Sequence, residues 1–191
     1  MGKEGPSVAQ VLAQAGTSPA LRILFPDTAV TQAGSSISKE AGAPAPTLAI
    51  AASALGGKPP ATKYIAISVD LDAPFVSFAV LAPALHGIDA DLVAASAPDA
   101  DGFVALDAAS PDAAWNPMPW VGPGPPSISG PHRYVFLLFA QPDGLDAAKV
   151  KSLLGIKGTG LWPRVRWDEE AAEKKLGVGE LLAGTFFTTK G

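Results

Sequence analysis

A mostly β chain with a few short helices is the fold class this sequence predicts, and three observations lead there. Glycine (20) and proline (19) make up about a fifth of the 191 residues and are spread throughout, which leaves little room for long helices. Residues 63–69 alternate, with Ile65, Ile67 and Val69 on one side and Tyr64, Ala66 and Ser68 on the other, the period of a half-buried strand. Residues 134–140 are almost continuously apolar, as in a strand buried on both faces.

The elements follow in order. Residues 7–14 form a short amphipathic helix closed by Gly16, so residues 1–20 read as a helical extension of a single domain, 1–191. Residues 21–25 read as a strand stopped by Pro26-Asp27, and 33–46 as a surface loop. A strand over 47–51 precedes a loop over 52–62. The strand of Ile65 ends in Asp70-Leu71-Asp72-Ala73-Pro74, and 86–92 forms the next strand after a Pro83 turn. Residues 94–118 make an irregular excursion with a short strand near 102–106. Helices are expected over 146–153 and 168–176. The second has acids in its first turn and Lys174, Lys175 and Gly177 at its end, as the helix dipole favours. Residues 181–188 form the last strand.

Composition narrows the function classes. The chain is 48% hydrophobic and 17% charged, which is globular rather than disordered. A net charge of −4 without a basic block argues against a nucleic-acid partner and against general electrostatic adhesion to anionic membrane. Without cysteine there is no disulfide, no thiolate metal site and no thiol nucleophile. Pro6 stands where a Gly2 myristoylation signal needs Ser or Thr, no signal-peptide core follows Met1, and no run is long enough to span a membrane. The expected location is cytoplasmic.

The most informative stretch is Gly122-Pro123-Gly124-Pro125-Pro126-Ser127-Ile128-Ser129-Gly130-Pro131-His132-Arg133-Tyr134-Val135, a rigid loop running into a strand. The two histidines of the chain, His86 and His132, both lie beside such Gly/Pro loops. Each alone reads as a satisfied core or loop residue, as Asp70 and Asp72 each read as turn caps. Jointly they suggest a pocket in which imidazole and backbone N–H groups meet a phosphate or carboxylate. One aspartate would hold a histidine and the other would face the ligand. No metal motif, serine-hydrolase elbow, P-loop or dinucleotide fingerprint is present, and no cofactor is expected. Arg133 points away from His132 and Tyr134 and is expected to be a structural ion-pair partner. Trp115, Trp120, Trp162 and Trp167 are expected to pack, with Trp120 at the pocket rim.

In this order, Asp70-Leu71-Asp72-Ala73-Pro74, His86 and Gly130-Pro131-His132-Arg133-Tyr134-Val135 resemble the phosphatidylethanolamine-binding protein family, also known for Raf kinase inhibitor protein. The family signatures are D-P-D-x-P and G-x-H-R. The likeness runs from about Leu21 to Thr188 and is strongest to fungal members over residues 73–86. It implies a large central β-sheet packed on a smaller one, and a pocket built from Asp70, Asp72, His86, Gly124, Pro126, His132 and Tyr134. It also implies a cis bond at Ala82–Pro83, and with it at Ala73–Pro74. Leu71 departs from the signature proline, and Ala84 and Gly87 replace bulkier residues, so a wider pocket is expected. The family's C-terminal helix is expected to be missing.

Two functions follow from the resemblance. The favoured one is binding: a pocket for an anionic head group, a phospholipid head or a small organic anion, in a protein that regulates a kinase or protease. The alternative is an enzyme or an accessory to a biosynthetic enzyme in fungal secondary metabolism, such as maleidride-type anhydride dimerisation. There His86 or His132 would shuttle protons, Asp72 would tune them, and Tyr134 would steady a developing enolate.

Overall fold

The computed structural model describes residues 4–57, 62–109 and 116–191. Among the described residues nine strands form one continuous ladder in the order β2-β1-β4-β7-β6-β5-β8-β9-β3. They are β1 (Leu21–Phe25), β2 (Thr28–Val30), β3 (Ser35–Ser36), β4 (Thr47–Ala51), β5 (Lys63–Asp70), β6 (Ala84–Ala94), β7 (Phe103–Ala108), β8 (His132–Ala140) and β9 (Ala183–Thr189). Among the described residues four short α-helices accompany them, α1 (Pro6–Leu12), α2 (Lys39–Gly42), α3 (Ala147–Leu154) and α4 (Glu169–Leu176), with a turn of 3-10 helix at Ala52–Leu55 inside the expected 52–62 loop. The two layers expected as separate sheets are halves of this one ladder, joined where β6 meets β7 through Leu92, Val93 and Ala94.

The central strands are buried on both sides. Ile65, Ile67 and Val69 of β5, with Val135, Leu137 and Phe139 of β8, pack under Val8 and Val11 of α1, Val150 of α3 and Leu176 of α4. Their opposite faces, Tyr64 and Ala66 with Tyr134, Phe136 and Leu138, pack against Ile23, Ile50 and Leu106 of the other half of the sheet. β5 is therefore not half-buried as its alternation predicts. Its second face carries Tyr64, Ala66 and Ser68, which are small or amphipathic enough to enter a core, and Ser68 satisfies its hydroxyl on the Gly87 carbonyl at 3.3 Å. Both cis bonds, Ala73–Pro74 and Ala82–Pro83, are present.

The helix ends behave as their residues dictate. Asp146 and Asp168 cap α3 and α4 by accepting the Lys149 and Ala171 N–H groups at 2.8 and 2.9 Å. Glu169, the first residue of α4, is buried against the Gly5–Val8 turn of α1 and beside Glu173. Burial, then the neighbouring Glu173, push its carboxyl up to about 8.

A further region corrects the sequence reading. Residues 33–46 are not a plain loop. They hold β3, which pairs in parallel with β9, and α2, which Ser38 caps by accepting the Ala41 N–H at 3.2 Å. A two-residue strand and a one-turn helix are too short to show periodicity. α2 matters because the Gly/Pro loop packs on it. A Cβ on Gly122 would stand 2.7 Å from Ala43 Cα, and one on Gly42 2.9 Å from Pro123 Cγ, so glycine at both places permits the contact. The strands at 21–25 and 47–51 and the helix at the N-terminus lie where expected. Residues 58–61 of the expected loop and 110–115 of the excursion, Trp115 included, lie outside the described residues.

Candidate functional site

Three strand positions converge at one end of the central sheet. Asp70 ends β5 and is paired with Tyr134 of β8, and His132 lies two residues earlier on the same face of β8. On the other flank, the β5–β6 register slips: Ser68 opposes Gly87 while Val69 opposes Leu85. His86 is the unpaired residue of that bulge, a device that re-aims a side chain out of the regular pleat.

Asp70 organises the site. Its Oδ1 accepts the Asp72 N–H at 2.8 Å and closes the turn after β5. Its Oδ2 accepts the His132 Nδ1–H at 2.8 Å and lies 3.9 Å from His86 Nε2. His132 Nε2 in turn accepts the Ser129 hydroxyl at 3.0 Å, and Ser129 Oγ accepts the Val76 N–H at 3.3 Å. The order Ser129–His132–Asp70 has the connectivity of a serine-hydrolase relay. Here, however, the serine is buried, holds a loop amide and lies outside the cavity wall, so the chain acts as a brace.

His86 differs. Its Nδ1–H donates to the Val121 carbonyl at 2.5 Å, and the Val121 N–H returns a bond to the His86 carbonyl at 2.9 Å. Only Nε2 remains available. Burial lowers the imidazole below its usual range, partly opposed by the attraction of Asp70. The ring packs edge-on against Tyr134, with centroids 5.0 Å apart. The Tyr134 hydroxyl is buried without a hydrogen-bond partner among the described residues. Burial, then the charge of Asp70, push the phenol upwards, so it stays an O–H donor.

Asp70, His86 and His132 lie at the polar end of a cavity of about 250 Å³, whose walls include Pro74, Leu81, Leu85, Val121, Leu161 and Val165. Arg164 also lines it. Its buried guanidinium donates to the carbonyls of Thr159, Leu85, His86 and Pro119 at 2.8–3.2 Å. Residues 21–187 match the phosphatidylethanolamine-binding protein family.

The chain belongs to the phosphatidylethanolamine-binding protein family.

Two yeast relatives (Saccharomyces cerevisiae) are similar over shorter stretches. The carboxypeptidase Y inhibitor is 40% identical over 36% of this chain and 30% of its own length. An uncharacterized protein is 41% identical over 25% of this chain and 27% of its own length. The aligned part thus spans under a third of each curated relative. Among solved structures, the carboxypeptidase Y inhibitor complexed with its cognate proteinase superimposes with a TM-score of 0.68 at 21% identity, covering 91% of this chain and 83% of that one. The phosphatidylethanolamine-binding protein from Plasmodium vivax follows at 0.61 and 14%, covering 89% and 84%. These likenesses carry the fold.

Against the family's pocket, the structure brings together Asp70, His86, Gly124, Pro126 and His132. Asp72 is not with them. Its carboxylate takes the Arg133 Nε–H and Nη2–H at 2.9 Å each and the Arg133 backbone N–H at 2.9 Å. It turns to the opposite side, where Arg133 also meets Glu4 at 3.2 Å, so it neither faces the cavity nor tunes a histidine. Tyr134 sits behind His86 and not on the wall. Trp120 is not at the rim either. Its ring lies 5.6 Å from His86 and 5.4 Å from Phe136, and its Nε1–H donates to the Gly42 carbonyl at 3.2 Å. Of the two substitutions expected to widen the pocket, Ala84 lines it. Gly87 does not, because a Cβ there would point at Ser68 Oγ, 3.2 Å away. Trp162, expected to pack, is 80% exposed. Ser129, Val121 and Arg164 are the site residues that sequence reasoning missed. Only the position of Ser129, three residues before His132, offered a signal.

Proposed function

We propose that this protein is a binding protein whose cavity holds a small molecule with an anionic head and an apolar body, and that in this role it regulates a protein partner of the peptidase kind. The observation that carries the reading is the arrangement of Asp70 and His86 in a cavity whose remaining walls, His132 and Arg164 apart, are apolar side chains and glycine. Such a site fixes one end of a ligand by charge and hydrogen bonds and the rest by apolar burial. His86 Nε2 is the open nitrogen, and Tyr134 offers an O–H behind it. An anion arriving there favours the protonated imidazole, whose Nε2–H then donates to it while Asp70 balances the charge. Arg164 adds a buried cation in the wall. The similarity to the carboxypeptidase Y inhibitor supports a peptidase as the partner.

Because burial holds His86 below its ordinary 6.5 in the free protein, binding by this route takes up a proton. Affinity should therefore fall about tenfold for each pH unit above the folded value of His86. Calorimetric titration with phosphorylethanolamine and with dicarboxylic acids, in two buffers of different ionisation enthalpy, tests this. Proton uptake on binding in wild type, with no binding in His86→Ala, is the expected result. Binding unchanged in His86→Ala removes the reading. Chemical conversion of an added acid would replace it with the catalytic one. Inhibition of a serine carboxypeptidase, measured alongside, tests the partner.

A further inference from the structure

β6 has β5 along one side, but β7 runs along the other only at Leu92, Val93 and Ala94, and Met118 meets it at Ile88. Towards His86 that outer side would be an open sheet edge, with main-chain groups left unpaired beside the buried Leu85. Arg164 closes it. Its carbonyl accepts the Leu85 N–H at 2.8 Å, and its Nη1 group donates to the carbonyls of Leu85 at 3.2 Å and His86 at 2.9 Å. The Arg166 N–H on the Leu81 carbonyl at 2.9 Å and the Trp167 N–H on the Pro83 carbonyl at 2.7 Å continue the contact. The segment before α4 thus stands where a neighbouring strand would.

Arg164 is 5% exposed, and among the described residues no carboxylate lies within ion-pair distance of it. A buried cation without an acid is costly, so neutral oxygens have to stand in for water. Four carbonyls do so: Thr159 on Nε at 3.1 Å, Leu85 and His86 on Nη1, and Pro119 on Nη2 at 2.8 Å. They come from three separate segments, and the rigid five-donor fork of arginine reaches them all at once, as a single ammonium does not.

The fork acts on His86 from behind. The His86 carbonyl is held twice, by Arg164 and by the Val121 N–H at 2.9 Å, which fixes the peptide plane at the bulge. The Nδ1–H bond to the Val121 carbonyl then fixes the rotation of the ring. Backbone and ring together leave Nε2 one place, beside Asp70 in the cavity that Arg164 also lines.

We infer that Arg164 is the positioning residue of His86, setting the bulge so that Nε2 meets an entering anion, which rests on the reading of His86 as the anion's contact. Its charge has a second effect. The titratable groups that face the imidazole are Asp70 of β5, His132 and Tyr134 of β8, and Arg164. Burial lowers the imidazole most, Asp70 opposes this, and Arg164 adds to the lowering. Arg164 therefore helps to keep Nε2 unprotonated until an anion brings the proton with it.

The test reads the rings by NMR in the ligand-free chain. In wild type the Arg164 guanidinium protons should be protected from exchange and should shift with the same pH midpoint as His86, a measurement that stands even if a variant fails to fold. Arg164→Gln should move the His86 midpoint upwards, reduce the share of the Nδ1–H tautomer, and weaken phosphorylethanolamine binding about tenfold or more, with circular dichroism retained. Arg164→Lys should restore the midpoint, because the charge returns, and recover only part of the affinity, because the fork does not. Guanidinium protons that ignore the His86 titration, or a His86 tautomer and midpoint unchanged in Arg164→Gln, would overturn the inference. So would full affinity in Arg164→Gln. A wild type that binds neither phosphorylethanolamine nor a dicarboxylic acid would instead remove the function proposed above, while the ligand-free spectra still decide whether Arg164 positions the ring.

Discussion

His132 and His86 share one carboxylate oxygen and differ in everything else. His132 lies in a regular strand, and both its nitrogens are satisfied, by Asp70 at 2.8 Å and by Ser129 at 3.0 Å. His86 lies in a bulge, binds a carbonyl through Nδ1 and leaves Nε2 open, 3.9 Å from the same Asp70. The first histidine holds the site together, and the second is free to react to what enters. The difference teaches that a histidine's role is set by how many of its nitrogens the fold has already satisfied, and burial alone does not decide it.

Substitution should separate the two regions, and the effects rank. Asp70→Ala should be the most severe. It orphans His132 Nδ1 and the Asp72 N–H in a buried setting and should cost about 3 kcal/mol in urea unfolding, with ligand binding lost as well. A cost under about 1 kcal/mol would mean that Asp70 braces nothing. Asp72→Ala removes three bonds to Arg133, but that arginine's side chain is 36% exposed, so solvent recovers part of the loss. About 1–2 kcal/mol is expected, with ligand affinity unchanged. Changed affinity would return Asp72 to the site. Ser129→Ala should cost about 1 kcal/mol, because the Val76 N–H and His132 Nε2 lose their partner. His86→Ala should cost the least stability, below about 1 kcal/mol, and yet abolish ligand binding.

The pH dependence of stability sharpens the same contrast. The folded state holds His86 below its ordinary 6.5, so the unfolded chain takes up the proton first. Stability should fall as pH drops below 6.5 towards the folded value, and His86→Ala should remove that loss. Glu169 works in the other direction. Raised from its ordinary 4.5 to about 8, it contributes stability that is full below 4.5 and lost as pH rises towards 8. Burial also pushes Asp89 up to about 7, so urea unfolding across this range should show both slopes, and Glu169→Gln should remove part of the alkaline one.

The central strands were legible because their patterns are strong. Continuous apolar residues at 134–140 and alternation at 63–69 leave few alternatives. The convergence of Asp70, His86 and His132 was legible through the order of the motifs. What stayed hidden depends on contacts distant in sequence. Nothing local tells that Asp72 meets Arg133, 61 residues away, instead of the cavity. Nothing local shows Arg164 reaching four carbonyls, or α2 lying under the Gly/Pro loop. The bulge at His86 was equally invisible, since register is a property of two strands and the alternation of one strand does not reveal where its partner slips.

That bulge has a consequence for how the protein can change over time. Position 86 has no partner on β5, while Leu85 and Gly87 on either side keep theirs. A new side chain there alters what the cavity recognises without disturbing the pairing of its neighbours. Losing the residue altogether would even out the ladder, since Leu85 already faces Val69 and Gly87 already faces Ser68, and would take the imidazole out of the cavity. Selection can therefore explore the chemistry of this position by exchange of one residue for another, whereas loss of the residue spares the sheet and removes the chemistry.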